Sequence, residues 1–434
     1  MFRPTRHALA GAVAALAMLG AAPAAANASA LWVAQSGTHT PPGKSCAKPG
    51  FSTIQAAVEA ATPGSTINVC PGTYQEQLSI TKAVTVEASG MPAATVKLPA
   101  TPQNSTTACD TAKGTEAFQP DQDLVSICTS GMVKLKGLNF EAKWPAGTCD
   151  DSLYGILVAG GATLEADGIT IDGAGAFPIN GCQGGVGIQV GMAWTTPVEV
   201  GHAVLAKDTI TNYQKNGMTV DGAGSSANIA GVTVLGAGPT PELAQNGIQV
   251  SNGASAKITQ ANVSGNKCED NVPTTCGPNA AQAAGVLFFD AASGSSISKS
   301  KINNNDLGVY FSSGEATESV SPEMTISGDT FSGDRDEAIV LEQGNAAVNM
   351  DKITGPGLVG IDLSQFEGQP FAVTGSATGD MIKGMTEAAI KVESDDKAGD
   401  IAGSFTIENS KISKNAAKVV NESKNFTVNT VDDH

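Results

Sequence analysis

The sequence predicts an all-β fold, a parallel β-helix in which short strands wind into a solenoid behind a short N-terminal capping helix. Three observations predict it. A Gly-Ile-x-Val run returns along the chain at intervals of roughly 22 to 38 residues, a spacing typical of stacked repeats. The chain has 50 glycines and 5% aromatic residues, which suits thin coils with many tight turns. An amphipathic segment at 52–62 precedes the first short strands.

The segment 52–62 is predicted to be the capping helix. Its apolar residues follow the i, i+3, i+4, i+7 spacing of one helical face: Ile54, Ala57, Val58 and Ala61. Ser52 is the predicted N-cap, and the Pro63-Gly64 pair ends the helix. Strand-like runs follow at 66–69, 78–80 and 84–86. A helix in this place would cover the open end of the stack and keep its first strand edges from pairing with other chains.

Two short motifs in this region resemble a known family. They read Ser-Thr-Ile-Gln-Ala-Ala-Val at 52–58 and Gly-Thr-Tyr-Gln-Glu at 72–76. Together they resemble the start of the pectin-lyase-like right-handed parallel β-helix proteins, and the second is similar to the first motif of pectin methylesterases. The resemblance implies a right-handed coil over nearly all of the mature chain. From the residues themselves we assign Tyr74 and Glu76 to packing and turn formation.

The catalytic signatures of this family are mostly missing. The polygalacturonase pattern needs Asn-x-Asp, an Asp pair, Gly-His-Gly and Arg-x-Lys, and Gly201-His202-Ala203 is a partial match to one of these. The later methylesterase motifs and the arginine-rich signature of pectate lyases have no counterpart beyond a faint match at 122–124. The resemblance therefore implies the fold and brings no active site with it.

Residues 1–28 are predicted to be a secretory signal peptide, which leaves 29–434 as a single parallel β-helix domain. The first residues are basic, 8–19 is apolar, and 26–28 read Ala-Asn-Ala, a small-x-small cleavage site. The apolar stretch is too short for a permanent anchor, and no later segment is apolar enough for membrane insertion. We therefore expect a secreted protein, and the alanine-rich signal is typical of bacterial ones.

The chain is strongly acidic. It has 25 basic and 42 acidic residues and a net charge of −17, and loss of Arg3 and Arg6 with the signal peptide makes this about −19. Nucleic acids and anionic membranes are repelled by such a charge at long range, so neither is an expected partner. A polyanionic sugar would need a bridging cation.

The eight cysteines form an even set, which in an exported chain predicts disulfides. The sequence does not determine their pairing. Neighbours along the chain give plausible pairs: Cys46 with Cys70, Cys109 with Cys128, Cys149 with Cys182, and Cys268 with Cys276. A metal site is the poorer interpretation, because there is no Cys-x-x-Cys spacing and the chain has 4 histidines.

Each copy of the repeated run is predicted to be one strand of a stacked sheet. The copies begin at Gly155, Gly187, Gly217, Gly247, Gly285, Gly308, Ala338, Gly360 and Ala389. Side chains alternate along a strand, so the second and fourth residues of each run point into the coil. The predicted core residues therefore include Ile188, Ile248, Val250, Ile339 and Ile361.

The third residues of the runs point out of the coil and form an outward column: Leu157, Gln189, Thr219, Gln249, Leu287, Tyr310, Val340, Asp362 and Lys391. The residues two positions further on form a second outward column, which includes Asp221, Ser251, Glu342 and Glu393.

Long insertions precede four of these strands, at 141–153, 172–185, 236–245 and 265–283. In a stack they fall on one edge of the same sheet and form a wall beside the outward columns, so a groove is expected there. Amides, hydroxyls and aromatic rings suit sugars. The predicted substrate-binding residues are Gln189, Asn216, Gln245, Asn246, Gln249 and Tyr310. A solvated sheet face is the alternative, and Asn216 and Asn246, one coil apart, would then form a structural ladder.

Lys215, Tyr213 and Asp221 are the predicted catalytic residues. A lyase needs a base that removes the proton next to a uronate carboxylate, and a lysine or tyrosine at the groove edge can supply it. It also needs a positive group, and the acidic neighbours of Arg335 would occupy that side chain. Calcium would have to bridge an acidic substrate, through groups such as Asp221 and Glu342. No other cofactor is predicted. Hydrolysis of a neutral glycan would need a carboxylate pair, which the sequence does not single out.

The predicted function is binding of a polysaccharide or cell-surface glycan, with degradation by a lyase or glycoside hydrolase as its extension. The alternative is a non-catalytic surface or adhesion module, favoured by the missing motifs and by the single arginine of the mature chain. Ligand contacts are expected in the middle coils, because the wall runs from about 141 to 283. The coils beyond Gly308 are expected to present a plain solvated mixture of charges that includes Asp362, Lys391 and Glu393.

Overall fold

The computed structural model describes residues 29–37, 41–106, 108–109, 122–149, 152–269, 282–313, 323–342, 344–364, 373–393 and 402–432. The predicted signal peptide, 1–28, lies outside these residues. The described chain forms 40 strands and one helix, α1 (Ile54–Ala60). Nearly all strands belong to three long sheets, here termed I, II and III, through which the chain passes in turn in each coil.

The strands of each sheet are consecutive coils of the stack. Sheet I has 14 strands: β1 (Ala30–Val33), β4 (Thr66–Val69), β7 (Thr85–Ala88), β10 (Met132–Lys136), β13 (Ala162–Asp167), β16 (Gly201–Ala206), β19 (Ser226–Ala230), β22 (Ser255–Thr259), β25 (Ser296–Ser298), β28 (Glu323–Ser327), β31 (Gly344–Asn349), β34 (Val373–Thr378), β37 (Gly403–Glu408) and β40 (Phe426–Val431). Sheet II has 12 strands: β5 (Thr73–Gln75), β8 (Thr95–Lys97), β11 (Asn139–Trp144), β14 (Thr170–Ala176), β17 (Thr209–Tyr213), β20 (Thr233–Thr240), β23 (Asn262–Cys268), β26 (Lys301–Asn303), β29 (Thr330–Ser332), β32 (Lys352–Thr354), β35 (Met381–Lys383) and β38 (Lys411–Ser413). Sheet III has 12 strands: β6 (Leu78–Ile80), β9 (Gln122–Cys128), β12 (Leu153–Ala159), β15 (Val186–Val190), β18 (Asn216–Asp221), β21 (Asn246–Ser251), β24 (Ala284–Phe289), β27 (Leu307–Ser312), β30 (Glu337–Glu342), β33 (Val359–Ser364), β36 (Ala388–Val392) and β39 (Ala417–Asn421). A separate hairpin joins β2 (Gly43–Ser45) and β3 (Lys48–Pro49).

Each strand of the three sheets pairs in parallel with the strands one coil before and one coil after it. In sheet III, for example, β18 pairs with β15 on one side and with β21 on the other. The repeated Gly-Ile-x-Val runs all lie in sheet III. The predicted parallel β-helix is therefore confirmed.

The capping helix differs from its prediction at one end. The buried residues of α1 belong to the predicted apolar face, and the helix packs on the first coil. Its N-cap is Thr53 rather than Ser52, because the Thr53 hydroxyl accepts the Ala56 N–H at 3.3 Å. The first helical turn therefore starts one residue later than the sequence indicated.

Tyr74 and Glu76 have structural roles, as expected. The Glu76 carboxylate accepts the backbone N–H groups of Ile54 and Gln55, each at 2.8 Å. It thereby satisfies two donors that a helix start leaves without partners. The Tyr74 hydroxyl donates to the Cys70 carbonyl oxygen at 2.8 Å, and the ring is buried.

The interior of the coil is apolar. All the predicted core residues of the repeats are fully buried: Ile188, Ile248, Val250, Ile339 and Ile361. Seven of the nine runs open with glycine, and close approach of the coils explains this at Gly217, where a Cβ would lie 2.6 Å from the carbonyl oxygen of Gly247 in the next coil. A side chain at this position would force the coils apart.

Aspartates stack along the turns between sheets I and II. The Asp329 N–H donates to Asp351 Oδ1 at 2.5 Å, and the Asp351 N–H donates to Asp380 Oδ1 at 2.7 Å. Each carboxyl group therefore satisfies a buried backbone donor of the preceding coil. Burial raises the pKa of Asp351 to about 8 and the pKa values of Asp329 and Asp380 to about 7.

Three of the predicted disulfides are confirmed. They join Cys46 to Cys70, Cys109 to Cys128, and Cys149 to Cys182. Cys268 is also disulfide-bonded, and its predicted partner Cys276 lies outside the described residues. No cysteine in the described part of the chain is free.

The four insertions lie between sheets II and III, on the predicted edge, but they are partly strand rather than loop. Four long strands of sheet II, β11, β14, β20 and β23, run into them. Shifts of register within the β11–β14 and β20–β23 pairs let this pairing continue past the corner of the coil. The Cys149–Cys182 disulfide then ties two neighbouring insertions together, which stiffens the wall.

Candidate functional site

Sheet III presents the predicted outward columns in register. The third residues of the runs pair coil by coil in the order Leu157, Gln189, Thr219, Gln249, Leu287, Tyr310, Val340, Asp362 and Lys391. In the second column Asp221 pairs with Ser251. The alternation read from the sequence therefore gives the correct register for this sheet.

Much of this face is covered rather than solvated. Leu157, Gln189 and Thr219 are at most 4% exposed. One cover is the segment 191–200, which follows β15 and carries Trp194. The Trp194 side chain packs against an apolar cluster outside the coil that includes Leu157. The sequence did not predict this cover, because the predicted wall consists of insertions that precede a repeat strand, whereas this segment follows one.

A cavity of about 320 Å³ lies on this face between β12 and β21. Five carboxamide side chains line it: Gln183, Gln189, Asn216, Gln249 and Asn252. We term it the amide pocket. Its lining also includes two aromatic rings and a lysine: Tyr154, Trp194 and Lys215. The stack thus brings together five of the predicted site residues: Gln189, Lys215, Asn216, Asp221 and Gln249. Among the lining residues that were not predicted as site residues are Tyr154, Gln183, Trp194 and Asn252. Tyr154 directly precedes the run that begins at Gly155, which was the nearest signal in the sequence.

The carboxamides hold one another in place. Asn246 Nδ2 donates to Asn216 Oδ1 at 3.2 Å, and Asn216 Nδ2 donates to Gln249 Oε1 at 2.9 Å. Gln249 Nε2 then donates to Ser251 Oγ at 3.2 Å. Asn216 and Asn246 therefore form an amide ladder, and Asn216 also lines the pocket while Asn246 lies behind it. Because these side chains are already ordered, a ligand would not have to immobilise them.

Asp221 is buried in the wall of the amide pocket. Its Oδ2 accepts the Ala193 N–H at 2.7 Å, and its Oδ1 accepts from Ser251 Oγ at 2.9 Å and from Asn252 Nδ2 at 2.7 Å. Burial raises the pKa of Asp221, while these hydrogen bonds act in the opposite direction. Since Ala193 precedes Trp194, the carboxylate ties the segment 191–200 to the next coil. These hydrogen bonds favour a structural role for Asp221 over the role of a free acid or base.

Lys215 lies at the edge of the amide pocket. Its Nζ donates to the Ala244 carbonyl oxygen at 2.9 Å. Burial lowers the pKa of Lys215, because the charged form loses hydration. A lysine with a lowered pKa is a better base near neutral pH, and its role in turnover stays a prediction.

Tyr213 and Gln245 are not at the groove, contrary to the prediction. Tyr213 ends β17 in sheet II and is fully buried, and its hydroxyl donates to Asn266 Oδ1. Burial raises the pKa of Tyr213 far above its usual value. Gln245 is also fully buried, and its Nε2 donates to the Tyr213 carbonyl oxygen at 2.7 Å. Both residues fill the corner between sheets II and III, where the chain turns and backbone groups need partners.

A second cavity, of about 580 Å³, lies farther along sheet III, between β27 and β39. Its lining includes seven carboxyl groups, those of Asp336, Glu337, Glu342, Asp362, Glu387, Glu393 and Glu422. We term it the acidic groove. Tyr310 lines this groove rather than the amide pocket, and its hydroxyl donates to Glu342 Oε2 at 2.6 Å. The expectation of plain solvated charges beyond Gly308 is wrong, because Asp362 is 5% exposed.

Burial and crowding disfavour ionisation in the acidic groove. The pKa of Glu337 is raised to about 8, first by burial and then by the charge of Asp336. The pKa of Asp362 is raised well above its usual value, first by burial and then by Glu393 and Glu337. Lys391 Nζ lies 2.9 Å from Glu387 Oε1 and 2.9 Å from Glu393 Oε1, so this lysine offsets part of the charge.

Arg335 is occupied by acids, as expected. Its Nη2 lies 3.1 Å from Asp306 Oδ1, and its Nε lies 3.4 Å from Asp336 Oδ1. Its guanidinium is therefore not available to neutralise a uronate.

The two residues suggested for calcium, Asp221 and Glu342, line different cavities. Among the residues that the structure describes, no group of three or more His, Cys, Asp or Glu side chains is arranged to hold a metal ion. Within the same residues, no helix has the length and apolar character needed to cross a membrane.

Comparisons with known proteins agree with this architecture. Residues 199–371 match a family described as right handed beta helix region. No curated protein matches the chain significantly. The solved structure of the periplasmic alginate epimerase AlgG is similar, with a TM-score of 0.51, 9% identity, and coverage of 85% of this chain and 76% of that one.

Two further solved structures are similar. The Agl-KA catalytic domain has a TM-score of 0.56 and 13% identity, over 87% of this chain and 65% of that one. The catalytic domain of a GH87 α-1,3-glucanase in complex with nigerose has a TM-score of 0.54 and 13% identity, over 87% of this chain and 66% of that one. The chain spans about two thirds of the length of these two domains. At such identities the likeness concerns the fold. The three parallel sheets and the family match together show that the chain is a right-handed parallel β-helix protein with the pectate-lyase-like fold.

Proposed function

We propose that this protein is an exported polysaccharide-binding β-helix protein that holds a glycan against sheet III in the amide pocket. The observation that carries the proposal is the lining of that pocket, where two aromatic rings stand beside carboxamides already fixed by hydrogen bonds. Carboxamides exchange hydrogen bonds with sugar hydroxyls, and aromatic rings pack on the apolar faces of sugars. The three disulfides support export to an oxidising compartment.

The charges favour a neutral or cationic glycan over a uronate polymer. The chain carries a net charge of −17, and its Arg335 is held by two aspartates. The amide pocket itself contains the buried acid Asp221 beside the single lysine of its lining. A carbohydrate ligand is also in keeping with the similar solved structures, which include an alginate epimerase and a glucanase with bound nigerose.

Hydrolysis is the processing reaction that we favour, and it would take place in the acidic groove. A glycoside hydrolase needs one carboxyl group that stays protonated near neutral pH and a second that is ionised. Glu337, with its pKa raised to about 8, suits the role of acid. A lyase would instead depend on Lys215, and among the described residues no arginine or second lysine lines the amide pocket to neutralise a uronate.

A glycan panel with product detection tests both parts of the proposal. Binding of neutral and charged oligosaccharides would be measured by isothermal titration calorimetry, and products by new reducing ends and by absorbance of unsaturated sugars. Trp194→Ala should abolish most of the affinity, whereas Met350→Ala, at a 71% exposed position in the turn after β31, should leave it unchanged. Failure of every glycan to bind would refute the proposal.

The same panel decides the reaction. New reducing ends that disappear in Glu337→Gln and persist in Lys215→Ala support hydrolysis. Unsaturated products that disappear in Lys215→Ala would show a lyase and refute the hydrolytic assignment. Binding without any product, with and without calcium, would leave a binding module and refute processing altogether.

A further inference from the structure

The acidic groove contains a buried carboxyl oxygen without a partner. Asp362 is 5% exposed, and its Oδ1 has no hydrogen-bond partner in the structure. The residue sits in the outward column of sheet III and lines the cavity of about 580 Å³. Buried polar atoms are nearly always hydrogen-bonded, so an exception in a cavity wall is a candidate acceptor for a ligand group.

The chain itself does not balance the charge of the groove. Seven carboxyl groups line it, against one lysine among the described residues. That lysine, Lys391, is drawn to Glu387 and Glu393, each at 2.9 Å. In the sheet Lys391 is the neighbour of Asp362, yet Asp362 Oδ1 makes no hydrogen bond to it. The groove therefore has room and charge for a further cation.

The arrangement does not fit a metal ion. Within the described residues no three of these carboxyl groups converge as a set of metal ligands. An alkylammonium group has other needs: three N–H donors spread over several acceptors, and an apolar carbon on its fourth side. The groove provides separate acceptors in Asp362 and Glu337 and apolar surface in Leu307, Val340 and the ring of Tyr310.

We propose that the acidic groove binds the protonated primary amine of an amino sugar, so that the polysaccharide held on sheet III carries free amino groups. The inference rests on the proposed function, because it takes the ligand to be a glycan. An ammonium group would donate to the unpartnered Asp362 oxygen and relieve the repulsion between Asp362 and Glu393. The substrate class is thus a partly or fully deacetylated amino-sugar polymer rather than a uronate.

The test compares two probes that differ at the amino group, which is a free ammonium in a glucosamine hexamer and an uncharged acetamide in an N-acetylglucosamine hexamer. We expect the glucosamine hexamer to bind the full mature protein at least about tenfold more tightly at low salt, and the advantage to shrink as salt rises. Asp362→Asn should remove most of that advantage without changing the affinity for the acetylated hexamer. Glu393→Gln, at a 46% exposed side chain, provides a second variant if Asp362→Asn does not fold. Asp172→Asn removes an acid of sheet II that pairs with Lys143, and it should have no effect.

Three results would overturn the proposal. Equal affinity for the two hexamers would show that charge is not recognised. Displacement of the glucosamine hexamer by an equal charge of spermidine would show an amine site without sugar preference, and displacement by calcium at similar concentration would show a metal site. The amide pocket is followed separately through Trp194 fluorescence. Quenching by the acetylated hexamer with no advantage of the charged one refutes this inference alone, whereas absence of any glycan binding refutes the proposed function.

Discussion

Replacement of Asp221 by alanine should release the segment that carries Trp194 and weaken glycan binding. The carboxylate accepts hydrogen bonds from Ala193, Ser251 and Asn252 at 2.7 to 2.9 Å. A hydrogen bond to a charged group contributes about 1.5–3 kcal/mol. Segment 191–200 can be docked on the sheet or released from it. Loss of the Ala193 hydrogen bond alone would therefore lower the equilibrium constant for the docked position by about 10- to 100-fold.

Two measurements follow this change. Affinity for a neutral oligosaccharide should fall at least about tenfold in Asp221→Ala, and the Trp194 emission should move toward that of a solvated indole. Subtraction of the emission of a Trp194→Phe variant isolates this signal from that of Trp32 and Trp144. Asp172→Ala, which removes an equal charge from sheet II, is the matched control. Unchanged affinity together with unchanged Trp194 emission in Asp221→Ala would refute the argument that this carboxylate positions the pocket wall.

Three other predictions concern the scaffold. Ile248→Asp should cost at least about 4 kcal/mol of unfolding free energy, since it buries an unpaired charge. Gln249→Ala should cost about 1–3 kcal/mol because its amide hydrogen bonds are lost. Chemical denaturation measures both costs, and equal costs would contradict the predicted strand register. Because the folded-state pKa of Asp351 is raised to about 8 from 3.8, the folded state binds its proton more tightly than the unfolded chain. The contribution of Asp351 to stability is therefore present at low pH and lost as pH rises from about 4 to about 8. Asp351→Asn should make the fall of Tm over that pH window less steep. An unaltered slope of Tm against pH would contradict the raised pKa. Peptide mapping without reduction should find all cysteines oxidised, with Cys268 joined to Cys276, and a free thiol at either would count against the assignment.

Several features of the fold could be read directly from local patterns. The return of the Gly-Ile-x-Val run located nine coils of sheet III, and the alternation within each run placed residues such as Ile248 inside and Gln249 outside. These inferences succeed because a parallel stack repeats one local environment, so each copy reports on its neighbours. Three disulfides also join cysteines that are neighbours along the chain, the pairing that the sequence made plausible.

The site depended on contacts that the local pattern does not contain. Whether an outward residue is accessible is decided by what lies over it, and Gln189 is covered partly by a segment that the repeat does not predict. Tyr213 and Gln245 look like groove residues in sequence, but the corner of the coil turns them inward.

The acidic groove shows the same division between sequence and structure. Tyr310, Glu337, Asp362 and Glu393 belong to four successive coils, and along the chain they read as scattered charges on separate strands. The sequence by itself determined the coil, its register and which side chains face outward, because those follow from alternation and local turns. Only the tertiary structure decided which outward side chains meet in a cavity, because burial and charge crowding arise from neighbours one or more coils away.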